Sequence, residues 1–183
     1  MGKTLIGLTG MPGAGKTLAA GYAKQMGYPT IVMGDVVRAL TLKMGLKPTP
    51  KNVGKAMLKI RKDHGPAAVA ESCILLIKKM PSNIVIIEGV RSLDEVKAFK
   101  KSFPNFTLIA LHASQQTRFK RLNKRNRSDD SQLWKVFAER DSRELGVGLG
   151  SAIASADYMF VNEGTIAELH KNIKKLLERI VNK

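Results

Sequence analysis

The sequence contains little cysteine, few aromatic side chains and no long apolar run. Its 183 residues include one cysteine, Cys73, which excludes an internal disulfide and indicates a reducing compartment. No apolar run approaches the roughly 20 residues that cross a bilayer. The N-terminal stretch meets glycine before it is long enough for a signal peptide. We therefore expect a cytoplasmic protein that has no membrane partner.

Acidic residues are scarce as well. The chain has 31 Lys and Arg against 15 Asp and Glu, a net charge of +16. Such a charge attracts nucleotides, phosphorylated metabolites or nucleic acid, although a lysine-rich surface also accounts for it. The excess is concentrated in residues 36–67, with eight basic residues and one acid, and in residues 118–127, with six basic residues. No aromatic side chain for base stacking lies between 36 and 62, so nucleic acid is allowed but not favoured.

Short apolar runs alternate with helical patterns along the chain. Strands are predicted at 4–9, 30–33, 83–88, 106–111 and 158–161. Helices are predicted at 16–26, at 36–80 with breaks at its prolines, at 92–103, at 114–145 with a break near 128, and at 165–181. We expect residues 146–150, which contain three glycines, to form a flexible joint. The alternation predicts an α/β fold of three layers around a five-stranded parallel sheet.

The octapeptide Gly10-Met11-Pro12-Gly13-Ala14-Gly15-Lys16-Thr17 lies between the first predicted strand and the first predicted helix. It matches G-x-x-x-x-G-K-[ST], a loop whose backbone N–H groups surround a phosphate at a helix N-terminus. In this motif the lysine reaches the β- and γ-phosphates and the hydroxyl of Thr17 is a ligand of Mg²⁺. A glycine-rich turn that matches by chance is the alternative, but the strand and helix on either side favour a phosphate-binding loop.

The third predicted strand ends in Glu88-Gly89-Val90-Arg91. Ligands of α/β sheets bind at the carboxyl ends of strands, so Glu88 is a candidate for holding Mg²⁺ and Arg91 for contacting a phosphoryl group. The structural alternative is an ion pair between Glu88 and Arg91 across the turn.

Gly34-Asp35-Val36-Val37-Arg38 follows the second predicted strand. Asp35 suits two roles, a helix N-cap and a carboxylate that orients or deprotonates an acceptor hydroxyl. Arg38 and Arg91 are candidates for holding a phosphate of the acceptor.

A series of arginines, Arg118, Arg121, Arg125 and Arg127, is followed by Asp129. The first three share a helix face. Charge runs of this kind are usually solvated, but phosphoryl transfer also needs arginines that close over the transferred group.

Taken together, these motifs resemble the nucleoside-monophosphate-kinase-like branch of P-loop kinases. More narrowly, the chain is similar to the archaeal proteins called adenylate-kinase-related or dephospho-CoA-kinase-related. The resemblance covers nearly the full length and, besides the motifs above, includes the stretch from Ala156-Asp157-Tyr158 through Asn162-Glu163-Gly164. Two departures are Glu88, where adenylate kinases usually have aspartate, and the absence of a close copy of their D-G-F-P-R signature.

The resemblance implies that different parts of the chain have different functions. The core would comprise residues 1–34, 81–113 and 151–183, with an acceptor-binding helical insert at 35–80 and a lid at 114–150. In such kinases an early lid arginine packs on adenine, which maps to Arg121, while Asn162 and Gly164 would lie against the base. Asp35 would lie near an acceptor hydroxyl, and Arg125 would contact the transferred phosphoryl.

The sequence therefore predicts a kinase that uses ATP and Mg²⁺ to phosphorylate a small phosphate-bearing substrate. The alternatives are a nucleic-acid-associated NTPase or polynucleotide kinase, and a regulatory ATP-binding protein with little turnover. The three histidines lack metal-ligand spacing, and Cys73 lies in an apolar pattern typical of a core helix. Trp134 suits either the core or a contact of the lid.

Overall fold

The computed structural model describes residues 2–125 and 132–181. Its strands are β1 (Thr4–Thr9), β2 (Thr30–Val32), β3 (Ile84–Glu88), β4 (Asn105–His112) and β5 (Tyr158–Val161). Its helices are α1 (Lys16–Gln25), α2 (Met33–Lys43), α3 (Pro50–His64), α4 (Ala68–Lys79), α5 (Leu93–Ser102), α6 (Gln115–Arg125), α7 (Trp134–Gly146), α8 (Leu149–Ala154) and α9 (Ile166–Val181). No helix in these two ranges is long and apolar enough to cross a membrane.

The five strands form one sheet in the order β2-β3-β1-β4-β5, and every strand pairing is parallel. Strand β1 lies at the centre, where Leu5 is in register with Val85 of β3 and Phe106 of β4. Because parallel strands are covered on both faces, they are continuously apolar, as the sequence predicted. The predicted fold class is confirmed.

Helices cover both faces of the sheet and produce two apolar cores. One core lies under α4 and α5 and contains Cys73 and Phe99, and the other lies under α1 and α9. Cys73 is a core residue, as predicted, and its burial raises the pKa of the thiol to about 12. The layers therefore stack as helices, sheet and helices.

Local sequence signals determine several helix ends. Thr165 and Glu168 form a capping box, in which each side chain accepts a hydrogen bond from the other residue's backbone N–H. Ser92 caps α5 by accepting from the N–H of Glu95. The carboxylate of Glu95 instead accepts from the N–H of Arg91 at 2.7 Å and from Arg61 of α3 at 2.7 Å. This buried carboxylate thus connects the helical insert to the end of β3.

The prediction of a flexible joint at 146–150 is wrong. Helix α7 continues to Gly146, and α8 begins at Leu149, whose side chain is buried. Gly148 has φ +103° at the turn between the two helices, a conformation that favours glycine. The glycines therefore allow a tight turn, and the burial of Leu149 anchors it.

Candidate functional site

A cleft of about 680 Å³ opens beside the carboxyl ends of β1 and β3. Its walls come from the loop between β1 and α1, from α2, from the turn after β3, from α6 and α7, and from the start of α9. Its charged lining side chains are Lys16, Arg38, Glu88, Arg91, Arg121, Lys124, Arg125, Arg140 and Glu144. Seven cations against two carboxylates give the cleft the sign of an anion site.

Glycines give the loop at 10–17 its path. Gly10 has φ +142°, and a Cβ there would lie 2.3 Å from the carbonyl oxygen of Leu111. Gly15 has φ +107° at the N-cap of α1, where a Cβ would lie 2.3 Å from Nδ2 of Asn162. Any larger residue would therefore displace the backbone that leads into the N-terminus of α1.

Lys16 lies across this loop. Its Nζ donates to the carbonyl oxygens of Gly10 at 2.7 Å and Met11 at 3.1 Å. Burial, reinforced by the charge of Arg91, lowers the pKa of Lys16 to about 8, although Glu88 and Glu144 oppose the shift. A phosphate anion beside Nζ would favour the ammonium form, so the position suits a polyphosphate ligand.

Thr17 and Glu88 lie together at the opposite side of the loop. The hydroxyl of Thr17 donates to Oε1 of Glu88 at 2.8 Å, and Glu88 is buried. Hydroxyl and carboxylate oxygens are ligands that Mg²⁺ accepts, together with phosphate oxygens, so these two residues suit the ion. The alternative pairing of Glu88 with Arg91 is wrong, because Nε of Arg91 lies 3.6 Å from Oε2 of Glu144.

The structure brings most of the predicted arginines to the cleft. Arg38, Arg91, Arg121 and Arg125 all line it. Arg127 and Asp129 lie outside the described residues.

The end of β5 joins this site through two hydrogen bonds. Nη1 of Arg121 donates to the carbonyl oxygen of Asn162 at 2.9 Å, and Nδ2 of Asn162 donates to the carbonyl oxygen of Ala14 at 2.9 Å. Asn162 and Gly164 both line the cleft, next to the phosphate-binding loop. The segment after β5 therefore connects that loop to α6.

Asp35 does not cap α2. The helix begins at Met33, with Val32 at the N-cap, because the helix starts earlier than the sequence pattern indicated. The side chain of Asp35 is 63% exposed, and its Oδ1 accepts from Nε of Arg38 at 3.0 Å. Gly34 and Arg38 line the cleft, whereas Asp35 is not among its described lining residues.

Arg118 has a role that the sequence did not indicate. It is neither solvated nor among the lining residues, because its side chain is buried between α6 and α7. It donates to the carbonyl oxygens of Pro12 and Ala113, each at 3.1 Å, and to both carboxylate oxygens of Asp141. Arg118 therefore fastens the loop at 10–17 to both helices, whereas Arg121 and Arg125 of the same helix line the cleft.

Helix α7 supplies residues that sequence reasoning missed. Arg140 and Glu144 line the cleft, and Asp141 pairs with Arg118. The spacing of residues 140 and 144 places them on one helix face, which was the available signal. A helix with charges on several sides does not reveal which of them point inward.

The remaining candidates have structural roles. Trp134 is 46% exposed and packs against Phe119 and Phe137, with ring centroids 5.1 and 5.2 Å apart.

Within residues 2–125 and 132–181, no group of three or more His, Cys, Asp or Glu could hold a metal ion. A metal in the cleft would therefore need ligands besides these side chains.

Comparison with known proteins agrees with this geometry. A family model described as an AAA domain matches residues 9–135. A UPF0200 protein of Methanocaldococcus jannaschii is 49% identical over 180 residues, which cover 97% of this chain and 91% of the relative.

Solved structures with low sequence identity have the same fold. The crystal structure of TT1252 from Thermus thermophilus superposes with a TM-score of 0.69 at 17% identity and covers 98% of both chains. A shikimate kinase from Bacteroides thetaiotaomicron gives 0.65 at 19% identity, covering 96% of this chain and 98% of its own. With a P-loop kinase-like fold, the chain belongs to the AAA domain family and to the UPF0200 proteins.

Proposed function

We propose that this protein transfers the γ-phosphoryl group of MgATP to a small phosphate-bearing acceptor, either a nucleoside monophosphate or an alcohol similar to dephospho-CoA. The observation that carries the proposal is the convergence of Lys16, the Thr17–Glu88 pair and arginines from several elements on one cleft. Phosphoryl transfer needs positioning and cations around the transferred group, and this cleft supplies both.

The donor would bind at Gly10–Thr17. Lys16 would hold the β- and γ-phosphates, and Arg121, Asn162 and Gly164 would lie along the adenine. Thr17 and Glu88 would hold Mg²⁺, which neutralises charge on the phosphates when it is bound. The contact between Asn162 and Ala14 supports this arrangement, because the segment after β5, which is proposed to lie along the adenine, is next to the loop at 10–17.

The acceptor would bind between the helical insert at 35–80 and the end of β3. Arg38 and Arg91 line the cleft from these two sides and would hold the acceptor's phosphate. The lid at 114–150 would bring Arg125 to the transferred phosphoryl. Asp35 remains a sequence-based candidate for the base that an alcohol acceptor requires.

The structural neighbours also support a kinase. Three of them are named shikimate kinases, one in complex with shikimate, and each covers most of this chain. At identities below 20% they share the fold, while the acceptor has to be read from the residues of this cleft.

The test is a screen of a metabolite extract with γ-labelled ATP and Mg²⁺, in which mass spectrometry identifies the labelled product. Lys16→Ala should abolish transfer because the charge on the β- and γ-phosphates is no longer neutralised. Lys24→Ala is the matched control, since Lys24 lies exposed on the same helix. Absence of labelled product, or equal transfer by the Lys16 variant, would refute the proposed reaction.

A further inference from the structure

Two carboxylates are among the described residues that line the cleft, Glu88 and Glu144. Glu88 accepts a hydrogen bond from Thr17 and belongs to the side of the cleft that suits Mg²⁺. Glu144 projects from α7 with a side chain that is 17% exposed, and its Oε2 lies 3.6 Å from Nε of Arg91. Glu144 has no role in the kinase reaction proposed above.

A carboxylate is an unfavourable neighbour for a phosphate that is itself the group to be phosphorylated. It repels that phosphate, because two anions in a partly buried site raise each other's energy. In front of a neutral hydroxyl the same carboxylate is useful, because it takes the proton that the alcohol must lose. The position of Glu144 beside Arg91 and near Lys16 is therefore informative about the acceptor.

Asp35 is less well placed for this task. Its carboxylate is 63% exposed, is paired with Arg38 on the same helix and is not a described lining residue of the cleft. Glu144, by contrast, lines the cleft and is held at its edge by an arginine that lies at the acceptor end.

We propose that Glu144 is the catalytic carboxylate that accepts the proton of the acceptor, so that the group phosphorylated is a hydroxyl. This inference rests on the kinase reaction proposed above. The hydroxyl oxygen bonds to the γ-phosphorus while the bond from that phosphorus to the β–γ bridging oxygen breaks. ADP leaves with the electron pair of the broken bond, and the hydroxyl proton passes to Glu144.

The neighbours of Glu144 are consistent with a late proton transfer. Arg91 faces it from the turn after β3, Lys16 and Glu88 face it across the cleft, and Arg140 lies one turn earlier on α7. The hydroxyl proton becomes acidic as its oxygen bonds to phosphorus, so even a weakly basic carboxylate can accept it.

The experiment compares three acceptors with MgATP: water, dephospho-CoA as an alcohol, and AMP as a phosphate. Glu144→Gln should lower kcat for dephospho-CoA and for water by about 10²-fold, while the affinity for ATP changes by less than about threefold. Glu139→Gln is the matched control, because it removes the same charge from an exposed position on the same helix. Glu144→Asp should recover part of the lost rate, since it retains a carboxylate.

The outcomes separate this inference from the kinase proposal. An equal loss of rate with AMP, with dephospho-CoA and with water would show that Glu144 only positions Arg91 and would overturn the inference. A loss confined to Asp35→Asn, or a wild-type preference for AMP over dephospho-CoA, would also overturn it and leave the kinase proposal standing. If wild type and Lys16→Ala are equally inactive with every acceptor, the kinase proposal fails and this inference fails with it.

Discussion

Among single residues, we expect Lys16 to couple ligand binding to the uptake of a proton. Its pKa of about 8 leaves about half of the side chain neutral at pH 8 in the unliganded protein. Because a bound polyphosphate would restore the ammonium form, binding of ADP or of a non-hydrolysable ATP analogue at pH 8 should take up about half a proton. Titration calorimetry in buffers of different ionisation enthalpy measures this uptake. Lys16→Met should remove it, and Lys24→Met should not; uptake that persists in the first variant would contradict the assignment.

The same shift affects stability without ligand. Since the folded pKa lies below the unfolded value of 10.5, the unfolded chain binds more protons between pH 8 and 10.5. This residue's contribution to the free energy of unfolding therefore increases with pH across that window.

Arg121 and Arg125 should be distinguished by their kinetics. Arg121 contacts the segment after β5, so we expect Arg121→Ala to raise the KM for ATP. Arg125 lies one turn later in the cleft wall, and Arg125→Ala should lower kcat by about two orders of magnitude, the scale of an arginine that contacts the transferred group. Steady-state kinetics with the identified acceptor measures both. Lys120→Ala, which changes an exposed position on α6, is the control. If the Arg121 and Arg125 variants have the same kcat and KM as the Lys120 variant, neither arginine has a catalytic role.

Among secondary-structure elements, the buried pair of Arg118 and Asp141 joins α6, α7 and the phosphate-binding loop. Both side chains are 4% exposed. Asp141→Asn leaves the guanidinium without a charged partner, which typically costs about 3–5 kcal/mol. We expect Tm to fall by on the order of 10 °C in thermal unfolding followed by circular dichroism.

The exposed pair of Lys59 and Asp63 provides the comparison. Its side chains are 61% and 40% exposed, so solvent screens their attraction and Asp63→Asn should leave Tm nearly unchanged. Similar Tm values for the Asp63 and Asp141 variants would show that the buried pair does not stabilise the fold.

The secondary-structure elements also differ in how well the sequence predicts them. Strands β1 and β5 have the predicted bounds, because short continuous apolar runs between glycines or polar residues are typical of strands in a parallel sheet. The path of the loop at 10–17 was equally clear, since its geometry requires glycine at positions 10 and 15. The charged helices were not: Arg118 and Asp141 meet across 23 positions, and helical periodicity does not show which of several charged faces is buried.

At the scale of the whole molecule, the net charge of +16 predicts weak binding of any nucleic acid. Residues 36–62, the basic stretch that would contact a nucleic acid, contain no aromatic side chain. We therefore expect charge alone to drive the binding. Fluorescence anisotropy of a labelled single-stranded oligonucleotide across a salt series should show a steep loss of affinity.

Two matched double variants test whether this binding has a location. Lys51→Glu with Lys55→Glu changes exposed positions of α3, and Lys171→Glu with Lys175→Glu makes the same charge change on exposed positions of α9. We expect both to weaken binding equally. Selective loss in the α3 variant would instead support the nucleic-acid-associated alternative.

The contact between Asn162 and Ala14 has a consequence for biosynthesis. The amide that packs against the phosphate-binding loop lies 148 positions after the carbonyl it contacts. Gly15 likewise lies close to Leu169 of α9. A nascent chain thus displays the loop's glycines and Lys16 early, yet cannot give them their final packing until Asn162 and α9 have left the ribosome. Competence to hold a nucleotide should therefore arise in one late step of translation, as expected where essential contacts join distant parts of a chain.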